Sequence, residues 1–234
     1  MSGPLAKAAL VEYKPASPQT PAVTVFQYNP ESLVHTWTQP EPSGKPGTES
    51  TNPLAIAGMP GESFEFTIFL DADDDIVSTV PVIKEAAQQS GVAARLASLE
   101  MLLYPVDAAA AASGGLLGTV TAGLGSSGTT WRLPNSTVPV VLFYWNPNRI
   151  VPVRVTTLSI TETLYDMDLN PRHAQAQLSL RVLTPAELAA ATPDPGTAAA
   201  LAVTAYNQTL LTRRRWADES TASPTGSITS KLPH

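Results

Sequence analysis

The chain contains no cysteine. That excludes a disulfide framework, a thiolate nucleophile and any Cys-ligated metal, and it fits a reducing compartment. Histidine is almost as scarce, with three in all, of which His234 is the last residue. A Ser-His-Asp site would have to use His35 or His173, and no Ser stands in a G-x-S-x-G elbow. Each histidine therefore reads as a strand or turn residue. Charged residues make up only 15% of the chain, and a net charge of −6 provides no global field to attract nucleic acid or an anionic membrane. No apolar run reaches the roughly 18 to 20 residues of a membrane helix. The segment "MSGPLAKAALVEYKP" lacks the basic and long apolar regions of a signal peptide. These features lead to the expectation of a soluble protein made in the cytoplasm, with extracellular release left open, no nucleic-acid partner and no direct membrane insertion.

What is present favours strands. With 22 prolines in 234 residues and few charges, ordered loops and sheet are expected rather than long solvated helices. Strand signals cover Leu5–Tyr13, Ala22–Tyr28 and Leu33–Thr38. In "ESFEFTIFL", Phe64, Phe66, Ile68 and Leu70 alternate with a mostly polar face that also carries Phe69. Val92, Leu96, Leu99 and Leu103 form a helical stripe, predicted to lie on a sheet and to stop before Pro105. Residues 106–136, rich in Ala, Gly, Ser and Thr, read as a long flexible insertion. Strands resume at Val138–Trp145. In "VPVRVTTLSITETL" the apolar positions shift from odd to even, which predicts a bulge near Thr156. "AQAQLSLRVL" alternates cleanly. Helices are predicted over Pro185–Ala191 and Thr197–Arg215, with a polar tail from Ala217. Grouped strands argue for an antiparallel sheet or barrel bearing a helix, not a doubly wound parallel fold.

Motifs that would carry chemistry are weak. "GLGSSG", Gly123–Gly128, has the spacing of a dinucleotide loop but lacks the preceding strand and the acidic residue downstream. "DADDDI", Asp71–Ile76, has Ile76 where a calcium loop needs Gly and Val82 where it needs Glu. It reads as a strand end whose acids sit at a helix N-terminus, with an irregular metal site as the alternative. "RRRW", Arg213–Trp216, is a helix-end or protein-interface cluster before it is a nucleic-acid contact. Asn135 and Asn207 begin glycosylation sequons that match by chance. No catalytic residue, cofactor site or metal site is assigned. Dispersed carboxylates leave a carbohydrate-active effector as the enzymatic alternative.

In order and spacing, "VFQYNPESL", "ESFEFTIFLDADDD", "LASLEMLLYP" and "PVVLFYWNPNRIVPVRVTTLSITETLYDMDLNPRHAQAQLSLRVL" resemble the tube-protein domain of contractile injection systems, the phage-tail-like particles. The resemblance covers about residues 5–185. It is most specific at the turn Tyr28, Asn29, Pro30 and Glu31, and from Pro139 to Leu183, where Trp145, Arg149, Asn170 and Pro171 carry the pattern. It implies a mainly β, α+β fold: an antiparallel β-barrel of the tail-tube type with a packed helix over 1–184, then a helical extension and tail over 185–234. It also implies a non-enzymatic baseplate subunit, the spike-to-tube adaptor or tube initiator, forming a homo-hexamer and touching the spike, the inner tube proteins and other baseplate subunits. A tube or tube-cap subunit is the alternative. On this resemblance the turn at Asn29 sets the register of a hairpin. Phe69, Phe143 and Tyr144 are either subunit contacts or core. The residues after Leu183 are too few for a LysM-type peptidoglycan module.

Overall fold

The computed structural model describes residues 6–13, 20–40, 54, 56, 58–104, 138–191 and 198–221. The expected insertion 106–136, the Gly123–Gly128 match, Asn135 and the tail beyond 221 lie outside them. Seven strands form one open antiparallel sheet: β1 (Ala9–Tyr13), β2 (Ala22–Val25), β3 (Val34–Thr38), β4 (Gly61–Asp71), β5 (Val140–Asn146), β6 (Arg149–Tyr165) and β7 (Pro171–Val182), in the order β2-β1-β5-β6-β7-β4-β3. The helices are α1 (Ala72–Ile76), α2 (Pro81–Ser90), α3 (Ala93–Glu100), α4 (Pro185–Ala191) and α5 (Ala198–Thr221). The architecture is α+β, mainly antiparallel sheet. Among the described residues, no helix is long and apolar enough to cross a membrane.

Alternation sets the faces. In β4, Phe64, Phe66, Ile68 and Leu70 are buried, and in β7 so are Ala174, Ala176, Leu178, Leu180 and Val182. The two strands pair from Ser63↔Arg181 to Asp71↔His173, which places both apolar sets on the same side. The predicted phase change in β6 is a register shift between Val155 and Thr157. The extra residue, Thr156, turns its hydroxyl to Ser179 O, 3.0 Å away.

The sheet is rolled. β4 and β5 stand three strand spacings apart, about 14 Å along a flat sheet, yet the Phe66 and Phe143 rings stack with centroids 5.4 Å apart. Phe64 also meets Phe143, and Phe26 meets Phe66. These rings, with Leu178, Leu180, Val151 and Val153, form the main core. Tyr206 of α5 joins that core, so the C-terminal helix completes it.

Two expectations are corrected. The turn at Asn29 does not close a hairpin: among the described residues β2 pairs only with β1, and β3 only with β4. The strand directions show that β2 and β3 run the same way, so residues 26–33 carry the chain from one edge of the sheet to the opposite edge. The predicted helical stripe is also altered. Val92, Leu96 and Leu99 are buried, but α3 tightens into a 3₁₀ turn over Met101–Leu103. That shorter turn brings Leu102 inward and leaves Leu103 38% exposed. Farther on, α5 runs past the expected end at Arg215 to Thr221, helped by the Arg215–Glu219 pair one turn apart.

Gly91 separates α2 from α3 with φ +58°, a left-handed value that favours glycine, and an added Cβ would lie 2.1 Å from the Pro171 carbonyl oxygen. The neighbouring Val92 N–H donates to that same oxygen at 2.9 Å. Gly91→Ala should therefore destabilise the fold by about 2 kcal/mol or more, read as a lowered midpoint in urea unfolding. A silent substitution would show that the α2–α3 corner moves freely against β7.

Candidate functional site

Among the described residues the most heavily buried charge is Glu62. Counting back by two from Phe64 puts it on the inward face of β4, where it is 3% exposed. Arg213 reaches it from α5 as a two-pronged pair, Nη1 to Oε2 at 2.9 Å and Nη2 to Oε1 at 2.6 Å. His35 Nε2 lies 2.7 Å from Glu62 Oε1, and because a carboxylate only accepts, that nitrogen carries the proton. The His35 ring stacks on Phe64, and the Arg213 guanidinium lies over Trp37. Burial lowers the His35 pKa against the opposing pull of Glu62, and the Arg213 and Arg149 charges lower it further. Burial and Arg213 likewise lower the pKa of Arg149. The Glu62 carboxylate thus ties α5 to β3 and β4. Thr209 adds a second fastening. Its hydroxyl accepts from Ile150 N at 3.1 Å and donates to Ile150 O at 2.8 Å.

At the other end of the sheet, the segment from Gln27 to Asn29 is a clamp. The Gln27 side chain donates to Asp71 O at 2.7 Å and accepts from Asp71 N at 2.8 Å. Asn29 does the same for β1, accepting from Ala8 N at 2.9 Å and donating to Ala6 O at 2.8 Å. Tyr28 OH donates to Asp74, and this bond, with burial and nearby carboxylates, pushes its pKa up to about 12. Pro30 is buried and Glu31 exposed. The motif thus ties the edge-to-edge crossing to β1, β4 and α1.

The acidic run behaves as its helix-end reading predicts. Asp71 caps α1 by accepting from Asp73 N at 2.8 Å, and Asp75 is nearly buried with Arg95 Nη2 at 2.7 Å. Ligand atoms of Asp71, Asp73 and His173 lie within 4.8 Å of one another. Arg172 already pairs with the Asp73 carboxylate, and His173 Nδ1 lies 3.7 Å from Asp71 Oδ2.

Three outer surfaces remain. The edges of the sheet among the described residues, β2 and β3, expose Val23, Val25, Val34 and Trp37. Between β2, the clamp and helices α1 to α3 lies an open cleft of about 1200 Å³ with Val25, Val77, Val82 and Ile83 in its walls. The loop from β6 to β7 presents Leu164, Tyr165, Met167 and Leu169 to solvent. This loop is ordered by Asp166, whose carboxylate accepts from Asp168 N, Asn170 N and Asn170 Nδ2 at 2.9 to 3.0 Å. The Asn170 donors, side chain first, hold Asp166 below its usual carboxylate range. Leu164 and Leu169 have φ of 56° and 64°, a left-handed conformation that costs a leucine about 1–3 kcal/mol.

The candidate residues therefore separate. Tyr28, Asn29, Pro30 and Glu31 lie at the clamp. Trp145 and Arg149 flank the β5–β6 turn beside α5, while Asn170 and Pro171 form the base of the β6–β7 tip. Phe143 is fully buried, so it belongs to the core and not to an interface, because β5 points it at Phe66. Tyr144 is half-buried, and Phe69 stands outward, 38% exposed. The Glu62–Arg213–His35 group was missed by sequence reasoning. Its signal was a carboxylate in phase with an apolar strand face, which demands a cation from somewhere. The Asn207 sequon has the same explanation as Arg213: its Thr209 anchors α5. No family model matches the chain, and no curated protein matches it.

Removing Glu62 leaves the partly buried Arg213 without its partner, so Glu62→Ala should cost about 2–3 kcal/mol in urea unfolding, and Glu62→Met with Arg213→Met should recover most of it. For His35, the folded pKa lies below the ordinary 6.5. The unfolded chain thus takes up the proton first as pH falls, and stability declines from about pH 6.5 downward. His35→Phe should flatten that decline; an unchanged slope would assign it to the carboxylates.

Proposed function

We propose that the protein is a structural, non-enzymatic subunit of a contractile injection particle: the adaptor that joins the spike to the inner tube and initiates tube assembly. The observation that carries this reading is the pair of edge strands, β2 and β3, which among the described residues end a rolled sheet unpaired and bear exposed apolar side chains. Unpaired edges of this kind are adhesive, and proteins that stay monomeric blunt them with charge or proline. Here they suit sheet pairing between copies. A repeated head-to-tail contact closes into a ring when its rotation permits.

The resemblance in the ordered motifs supplies the rest of the reading. The sheet completes a β-barrel of the tail-tube type. Six copies form the ring, with the spike protein below, inner tube proteins above and other baseplate subunits around it. Phe69 and Tyr144, on strand faces turned from the main core, are the subunit-contact positions. The ring forms in the cytoplasm as part of the particle, which acts there or after release. The same free edges would serve a subunit repeated along the tube or capping it, and copy number separates the two readings.

Imaging of purified particles should show one six-fold ring of this protein between spike and tube. Many stacked rings would give the tube-subunit reading, and a monomer absent from particles would overturn both. Val23→Lys, at the exposed β2 edge, should abolish ring formation while changing unfolding stability by less than about 0.5 kcal/mol.

A further inference from the structure

We infer that the mouth of the rolled sheet beneath α5 is a binding site for one oxyanion, a carboxylate or phosphate group, held by Arg149 and Tyr206. The inference goes beyond the structural-subunit reading and does not depend on it.

Alternation places Arg149. Val151 and Val153, two and four residues farther along β6, are buried in the main core, so Arg149 begins the strand on the same inward face. The next residue, Ile150, is bonded through both backbone groups to Thr209 of α5. One helical turn beyond Thr209 comes Arg213, the arginine that reaches Glu62. Arg149 thus enters the mouth beside an ion pair that is already complete. The Glu62 oxygens are taken by Arg213 and His35, and among the described residues the half-buried Arg149 guanidinium makes no hydrogen bond or ion pair of its own.

The second donor comes from α5. Tyr206 is 6% exposed, with its ring in the main core, yet its hydroxyl has no partner among the described residues. No fully enclosed polar side-chain atom of those residues lacks a partner, so the hydroxyl keeps an opening to the outside. The charges that act on it are Glu62 and Arg213, the same two that act on Arg149, which puts both donors at one mouth.

The charge there is unbalanced. β3 contributes His35, held toward its neutral form by burial; β4 contributes Glu62, β6 Arg149, and α5 Arg213 with the uncharged Tyr206. Two guanidinium groups against one carboxylate leave one positive charge over. A guanidinium only donates, and a neutral phenol hydroxyl has a proton to give. What completes such a pair is an acceptor that carries negative charge, and the planar fork of an arginine matches two oxygens of a carboxylate or phosphate at once.

Inorganic phosphate and acetate, each titrated against chloride at constant ionic strength, are the probes. At least one should raise the urea midpoint of the wild-type chain and saturate, as a ligand of the folded state does. A response to phosphate alone assigns a phosphate ligand, and an equal or larger response to acetate assigns a carboxylate. Arg149→Gln should weaken binding by about tenfold or more, the effect of losing a charge-assisted hydrogen bond. Tyr206→Phe, which keeps the buried ring, should weaken it by about threefold. Arg214→Gln, at an exposed position on the same helix, should leave it unchanged. No saturable response to either probe, a response that survives Arg149→Gln, or one lost equally in Arg214→Gln would overturn the inference. So would an Arg149→Gln penalty of the same size in chloride and in the probe, which marks a structural role only. None of these results alters copy number in particles, so the site can fail while the adaptor reading stands.

Discussion

The stacking of Phe66 on Phe143 is the contact on which the rest of the structure depends. Strands that lie three positions apart can touch through their side chains only if the sheet rolls, and rolling gives it an inside. Once an inside exists, the alternating faces of β4 and β7 have a place to bury Phe64, Ile68, Leu178 and Leu180. The bulge at Thr156 serves the same end, because an extra residue in a long strand bends it and restores the inward phase for Leu158 and Ile160. Rolling also brings the edges within reach of an eight-residue crossing, residues 26–33, which Gln27 and Asn29 fasten through paired side-chain amide bonds.

The buried ion group follows from the same geometry. An inward carboxylate at Glu62 is tolerable only because α5 lies over the roll and delivers Arg213 in a bidentate pair, with His35 satisfying the remaining approach. Such a pair adds little net stability compared with an apolar packing of the same shape, but breaking it is expensive. Its consequence is specificity of placement: α5 has one azimuth and one height on the sheet. Thr209, bonded to both backbone groups of Ile150, sets the same position independently. Glu62, His35 and Arg213 thus share one role in holding α5 against β3 and β4.

Much was legible along the chain because the signals are local. The period-2 alternation of β4 and β7, the phase change in β6, the Asp71 cap of α1 and the short α4 depend on neighbours within a few residues. The misreadings have local causes too. A four-residue turn signal between two apolar runs predicts a hairpin, yet β2 and β3 part company, β2 pairing with β1 and β3 with the eleven-residue β4. A 3.6-residue stripe predicts Leu103 inside, yet a 3₁₀ turn moves Leu102 there.

By itself, the sequence determined which stretches are strands, which side of each is apolar, and the scarcity of histidine and cysteine that limits nucleophile and metal chemistry. Those properties are written residue by residue in side-chain type and spacing. Only the tertiary structure decided that the sheet rolls, that Glu62 meets an arginine 151 positions away, and that an apolar tip and an apolar cleft occupy separate surfaces of one subunit. The physical reason is distance along the chain. Pairings between remote residues are selected by the summed burial of the whole fold, and no window of neighbouring residues contains that sum.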